Sequence, residues 1–183
     1  LKIASKAKVL HWKTGDSLQK ITGNTNAYTN KIIAIGASTG GTEAIYNVLK
    51  YLPKNIPGIV IVQHIPPDFS RMFAERLNTS TALEVKEAQT GDYIERGRVL
   101  VAPGDQHMRV KRVGDKYRVE CFKGDKLNGH CPSVDVLFRS VARSAGKNAV
   151  GVIMTGMGDA GARGMKEMKE AGATINIAQD KEC

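Results

Sequence analysis

Lys31-Ile-Ile-Ala-Ile-Gly-Ala-Ser-Thr-Gly-Gly-Thr42 decides how this chain folds. Ile32 to Ile35 form a short β-branched apolar run without polar alternation, as a strand buried on both faces requires. Small residues and glycines end it. From Thr42 to Leu52, Ala44, Ile45, Val48, Leu49 and Leu52 recur at helical spacing until Pro53 stops them. A second cycle follows at once. Ile59-Val-Ile-Val62 reads as a strand, and Pro67 opens a helix whose inward stripe is Phe69, Met72, Phe73 and Leu77. Strand, helix, strand, helix predicts an α/β fold, a doubly wound, mainly parallel sheet with helices on both faces.

The rest of the chain fits around this unit. Leu83 to Ala88 and Arg98 to Ala102 read as short strands. His107 to Val113 and Lys116 to Phe122 flank Gly114-Asp115 and predict an inserted antiparallel β-hairpin. Pro132 to Ala145 is helical, with Val134, Leu137, Phe138, Val141 and Ala142 inward. Ala149 to Met154 is a buried strand, 160–171 a helix with Met165 and Met168 inward, and Thr174 to Ala178 a last strand. Residues 1–30 are polar and turn-rich and read as an interdomain linker, leaving 31–183 as one domain.

Composition bounds the function. The 183 residues are 42% hydrophobic and 25% charged, which excludes a wholly disordered chain. No apolar run approaches the ~20 residues of a membrane-spanning helix, and no signal peptide precedes the folded part. Cys121, Cys131 and Cys183 cannot all pair and show no C-x-x-C spacing. They point away from a metal site and toward a reducing cytoplasm. The net charge of +9 suits an acidic partner, so a basic nucleic-acid or anion-binding module is the alternative to an enzyme.

Gly36-Ala-Ser-Thr-Gly40 fits G-x-S-x-G between a strand and a helix, the context of a nucleophile on a sharp turn. Ser38 is then either a simple N-cap or a nucleophile, with the Thr39 backbone N–H as oxyanion donor. Dinucleotide and Walker phosphate loops both fail here. Ser38 stands in place of the second glycine, Gln63-His64 replaces the ribose acid, and no Lys-Ser/Thr follows. His64 ends the second strand. In a parallel sheet it shares an edge with Ser38 and suits a general base. The turn Thr155-Gly-Met-Gly-Asp-Ala-Gly161 reaches the same edge. There Asp159 is either an N-cap or the carboxylate that orients His64.

These motifs, with Val62-Gln-His-Ile-Pro66, Ala102-Pro-Gly-Asp-Gln-His-Met108, Pro132-Ser-Val-Asp-Val-Leu-Phe138 and Ala178-Gln-Asp180, resemble the catalytic domain of the chemotaxis response-regulator protein-glutamate methylesterase (CheB) family from Lys31 onward. The resemblance implies a cytoplasmic serine hydrolase without cofactor or metal. Its substrates would be glutamyl methyl esters on the cytoplasmic helices of chemoreceptors, with deamidation of receptor glutamines as a second activity. It also implies an N-terminal receiver domain, absent here, and neither nucleic-acid binding nor membrane insertion. Ser38 would be the nucleophile, His64 the base, and the Thr39 and Met157 amides the oxyanion hole. One position departs. The family reads G-M-G-x-D-G, whereas Gly156-Met-Gly-Asp-Ala-Gly161 puts Ala160 at the acid's position and Asp159 one residue early.

Overall fold

The computed structural model describes residues 30–154 and 159–177. Among these residues the elements run β1 (Ile32–Ala37), α1 (Gly41–Leu49), β2 (Gly58–Gln63), α2 (Pro67–Ser80), β3 (Glu84–Glu87), β4 (Arg98–Val101), β5 (His107–Val113), β6 (Lys116–Phe122), α3 (Val134–Ala145), β7 (Ala149–Ile153), α4 (Ala162–Glu170) and β8 (Thr174–Ile177). Six strands form one sheet in the order β3-β4-β2-β1-β7-β8. Every pairing in it is parallel. β5 and β6 form a separate antiparallel hairpin. The linker expected over 1–30 lies outside the described residues except for Asn30, as does the expected last strand residue, Ala178.

The apolar runs form central strands because both of their faces are covered. Alternate residues of β2 show this. Val60 and Val62 join Leu137, Phe138 and Val141 of α3 and Met108 and Val110 of the hairpin in one core. Ile59 and Ile61 join Ile45 and Leu49 of α1 and Phe73 and Leu77 of α2 in the other. The hairpin's β5 edge is sealed by α3, where Ser140 Oγ accepts from Val110 N (2.8 Å) and Ser144 Oγ donates to Val110 O (2.9 Å). An edge strand is thereby kept from pairing elsewhere.

The inward face of α2 differs from the expected one. Its buried residues are Ser70, Phe73, Ala74 and Leu77, while Phe69 is 54% and Met72 61% exposed. The seam turns on Ser70, whose hydroxyl accepts from Gly104 N (2.9 Å) and donates to Glu87 Oε1 (2.5 Å), with Pro67 O 2.8 Å away. A small hydroxyl fits this close backbone approach, which Phe69 and Met72 could not. Val48 of α1 is likewise on the exposed side, and α3 starts at Val134, two residues after the expected Pro132.

β1 and β7 are neighbours whose following helices lie on opposite faces, α1 in one core and α4 in the other. This is the topological switch point of an open α/β sheet, where a crevice forms outside the carboxyl ends of the strands. A buried carboxylate braces the α3 side of that crevice. Asp135, 3% exposed, accepts from Gly164 N of α4 (2.7 Å) and from Asn128 Nδ2 (3.2 Å). Asp135→Ala strands a buried N–H and should destabilise the fold by about 2–3 kcal/mol in urea denaturation; an unchanged midpoint would show that the brace carries no weight.

Candidate active site

Ser38 sits directly after β1 in a turn closed by Gly41 N donating to Ser38 O (2.8 Å). Gly40 occupies the left-handed region at φ 75° and caps α1, a conformation that disfavours any residue with a Cβ. Gly41 is required for a different reason, since a Cβ there would strike Gln63 Oε1 and Ala37. The turn thus folds back hard against β2 and leaves Ser38 half-buried at the sheet edge, beside the N-terminus of α1.

The register pairs Ala37 with Gln63, so the residue after each strand faces its counterpart. His64 Nδ1 lies 3.2 Å from Ser38 Oγ. The expected proximity of serine and histidine is therefore present. Gln63 locks the two segments together. It is 3% exposed, and its Nε2 donates to Ser38 O (2.8 Å) and His64 O (3.2 Å). Sequence reasoning used Gln63 only to reject a ribose site; its tie across the two turns has no local signature.

The carboxylate is where the arrangement departs from the expectation. Asp159 is exposed, and its backbone carbonyl accepts from Ala162 N (3.3 Å) at the start of α4. His64 Nε2 is buried and has no hydrogen-bond partner among the described residues. Asp159 and His64 are thus not brought together. Adjacent positions at a helix start point roughly 100° apart. It is Ala160 that turns inward, half-buried and packed against the core of α3. β7 ends alongside the strand that leads to Ser38, with Met154 N donating to Gly36 O (2.9 Å). Thr39 is exposed next to Ser38, and Met157 lies outside the described residues.

Hydrogen placement on His64 follows from these partners. To take the Ser38 proton at Nδ1, the ring must carry its own proton on Nε2, which has no acceptor among the described residues. A buried N–H without an acceptor costs about 1–3 kcal/mol. The other tautomer, with Nδ1–H donating to Ser38 Oγ, leaves only an unpaired ring nitrogen. Burial, and secondly the His130 charge, push the His64 pKa down to about 4.

A second histidine, His130, lies against the first. The His130 ring stacks on that of His64, with centroids 3.8 Å apart and planes 6° from parallel. Together with Pro66, Lys126 and Cys131 the two rings line a cavity of about 240 Å³. His130 leaves a two-residue turn in which Leu127 and His130 exchange two 3.0 Å backbone hydrogen bonds and Asn128 and Gly129 both have positive φ. The Asn-Gly pair is the sequence signal for such a turn. His107 is buried and anchors the segment. Its Nδ1 accepts from Ser133 N (3.2 Å), so its Nε2–H donates to Asp125 O (2.8 Å). The Cys131 thiol is held above its ordinary pKa, first by burial, which disfavours the reactive thiolate. Among the described residues no three His, Cys, Asp or Glu side chains are grouped to hold a metal ion, and no helix is long and apolar enough to cross a membrane.

Comparison with known proteins matches this geometry to one family. A family model described as CheB methylesterase matches residues 33–183. A protein-glutamate methylesterase/protein-glutamine glutaminase of Syntrophotalea carbinolica is 53% identical over 99% of this chain and 53% of its own length. One of Chromobacterium violaceum is 58% identical over 87% of this chain and 44% of its own. The chain spans about half the length of the curated relatives it matches. The crystal structure of the Thermotoga maritima CheB methylesterase catalytic domain superposes with a TM-score of 0.80 at 41% identity, covering 84% of this chain and 82% of that one. None of these matches favours the nucleic-acid-binding alternative.

Proposed function

The chain belongs to the CheB methylesterase family, and on that premise we propose that it hydrolyses glutamyl methyl esters on the cytoplasmic helices of chemoreceptors. Deamidation of receptor glutamines is its second reaction, and a receiver domain is its regulator. The observation that carries this reading is the 3.2 Å contact of Ser38 Oγ with His64 Nδ1 at the switch-point edge of the sheet. Ser38 attacks the γ-carbonyl while His64 takes its proton, and the oxyanion is received by the Thr39 and Met157 backbone amides. His64 returns the proton to the leaving methoxide, methanol departs, and water hydrolyses the acyl-enzyme by the same steps. The test is methanol release from a purified, methylated chemoreceptor cytoplasmic fragment. Steady release supports the reading; none, from folded protein, defeats it.

The pH profile carries a further expectation. A base must be neutral to act, and His64 is neutral above its pKa of about 4. Activity should therefore persist well below the ~6.5 of an ordinary histidine and fall only as the pH approaches 4. The acid limb of kcat/KM reports this directly. A limb near 6.5 would mean that His64 is neither buried nor influenced by His130 as described.

A further inference from the structure

We propose that His130 is a positioning residue: its stacked ring sets the plane in which His64 presents Nδ1 to Ser38. The inference rests on the methylesterase reading and adds a residue to it. A histidine ring turns freely about its last side-chain bond unless something holds it. In a complete triad a carboxylate on the far nitrogen does this. Here that nitrogen, Nε2, has no partner among the described residues. The hydrogen bond to Ser38, at 3.2 Å and the one the ring makes among the described residues, leaves the ring free to swing about it. Among the described residues, what holds the ring plane is the face of His130, 3.8 Å away and within 6° of parallel.

The scaffold behind His130 is built to deliver that face. The Leu127–His130 turn is closed by two backbone hydrogen bonds. Asn128 ties it to the buried Asp135, which also grips α4 through Gly164. His107 pins the flanking segment at Asp125 and Ser133. A loop bridging two elements needs none of this to stay on the surface; a loop that must hold one ring against another does. Stacking constrains the plane of His64 but not its tautomer, so it supplies part of what a carboxylate supplies. His130 also adds charge. Of the groups around the cavity, His130, Lys126 and Cys131 among them, it is His130 whose charge opposes protonation of His64.

Two variants separate orientation from charge. His130→Phe keeps an aromatic face and removes the charge. His130→Ala removes both. His130→Ala should lower kcat about tenfold, the most one aromatic contact supports, with KM little changed. His130→Phe should keep kcat within about threefold of wild type and move the acid limb of kcat/KM to higher pH, because His64 is then easier to protonate. The same rise should appear in the His64 titration followed by ¹⁵N ring shifts, which needs no substrate. Equal loss of kcat in both variants, or wild-type kcat in His130→Ala, overturns the positioning role. An unmoved His64 titration in His130→Phe overturns the coupling. A wild-type protein inactive on methylated receptor, with the titration still shifted, would count against the methylesterase reading and leave the stack standing.

Discussion

Ser38→Ala should lower methanol release by about 10² in the otherwise native chain, and by about 10⁴ or more when the same change is made in an Ala160→Asp background. The two figures follow from how serine hydrolases divide their rate among the site residues. Removing the nucleophile costs about 2 × 10⁶ and removing the acid alone about 3 × 10⁴ in a measured serine protease. A site whose histidine has no carboxylate partner, as is the case for His64 Nε2 among the described residues, retains only about 10² that depends on the serine. Ser38 is half-buried in an edge turn, and its hydroxyl faces His64 rather than the core. Removing it leaves Gln63 bound to the Ser38 carbonyl and the Gly41 turn bond in place, since both are made by backbone atoms of residue 38. Thermal denaturation should be near wild type. Release close to wild type by the folded variant would exclude Ser38 as nucleophile, and an equal loss in both backgrounds would exclude the missing-acid account of the native site.

The parts of this site that were legible in the chain are those set by strand direction. A β-branched run ending in small residues, twice, with helical spacing after each, forces two parallel strands to end at one edge. Ser38 and His64 meet because Ala37 and Gln63 are register partners, and parallel topology made that meeting readable. The one-residue offset of Asp159 is visible against the family motif, but whether it reaches His64 is not, because a glycine-rich turn can redirect a side chain. What could not be read depends on contacts between distant segments. The exposed side of α2 is decided by Ser70 meeting Gly104, thirty-four residues away, and no periodicity in 67–80 reports it. Gln63 resembles any polar strand end until the Gly41 turn folds onto it. The Asn128-Gly129 turn was open to reading, but the surface it faces was not. His130 lies sixty-six positions from the ring it covers, and the register of its loop is set by His107 and Asp135, whose partners are equally remote.

Ala160→Asp should raise kcat/KM by about 10² to 10⁴, the largest gain any single change in this protein is expected to give. In the native site His64 prefers the tautomer that donates to Ser38, because Nε2 has no acceptor among the described residues. A buried N–H left unpaired costs about 1–3 kcal/mol, so the base-competent tautomer falls to roughly a tenth to a hundredth of the whole. A carboxylate at Nε2 recovers that factor. It also stabilises the imidazolium formed as Ser38 attacks, which accounts for the upper part of the range. Position 160 is where the motif resemblance puts the acid, and here it is half-buried and packed against the core. Asp159 points to solvent, so Asp159→Ala should change the rate by less than about twofold, as exposed surface substitutions do. The pH profile supplies an independent check. A carboxylate beside His64 favours its charged form, so the acid limb, near 4 in the native protein, should move upward as the rate rises. A folded Ala160→Asp variant with neither gain nor shift, or a large loss in Asp159→Ala, would mean that His64 already has its acid.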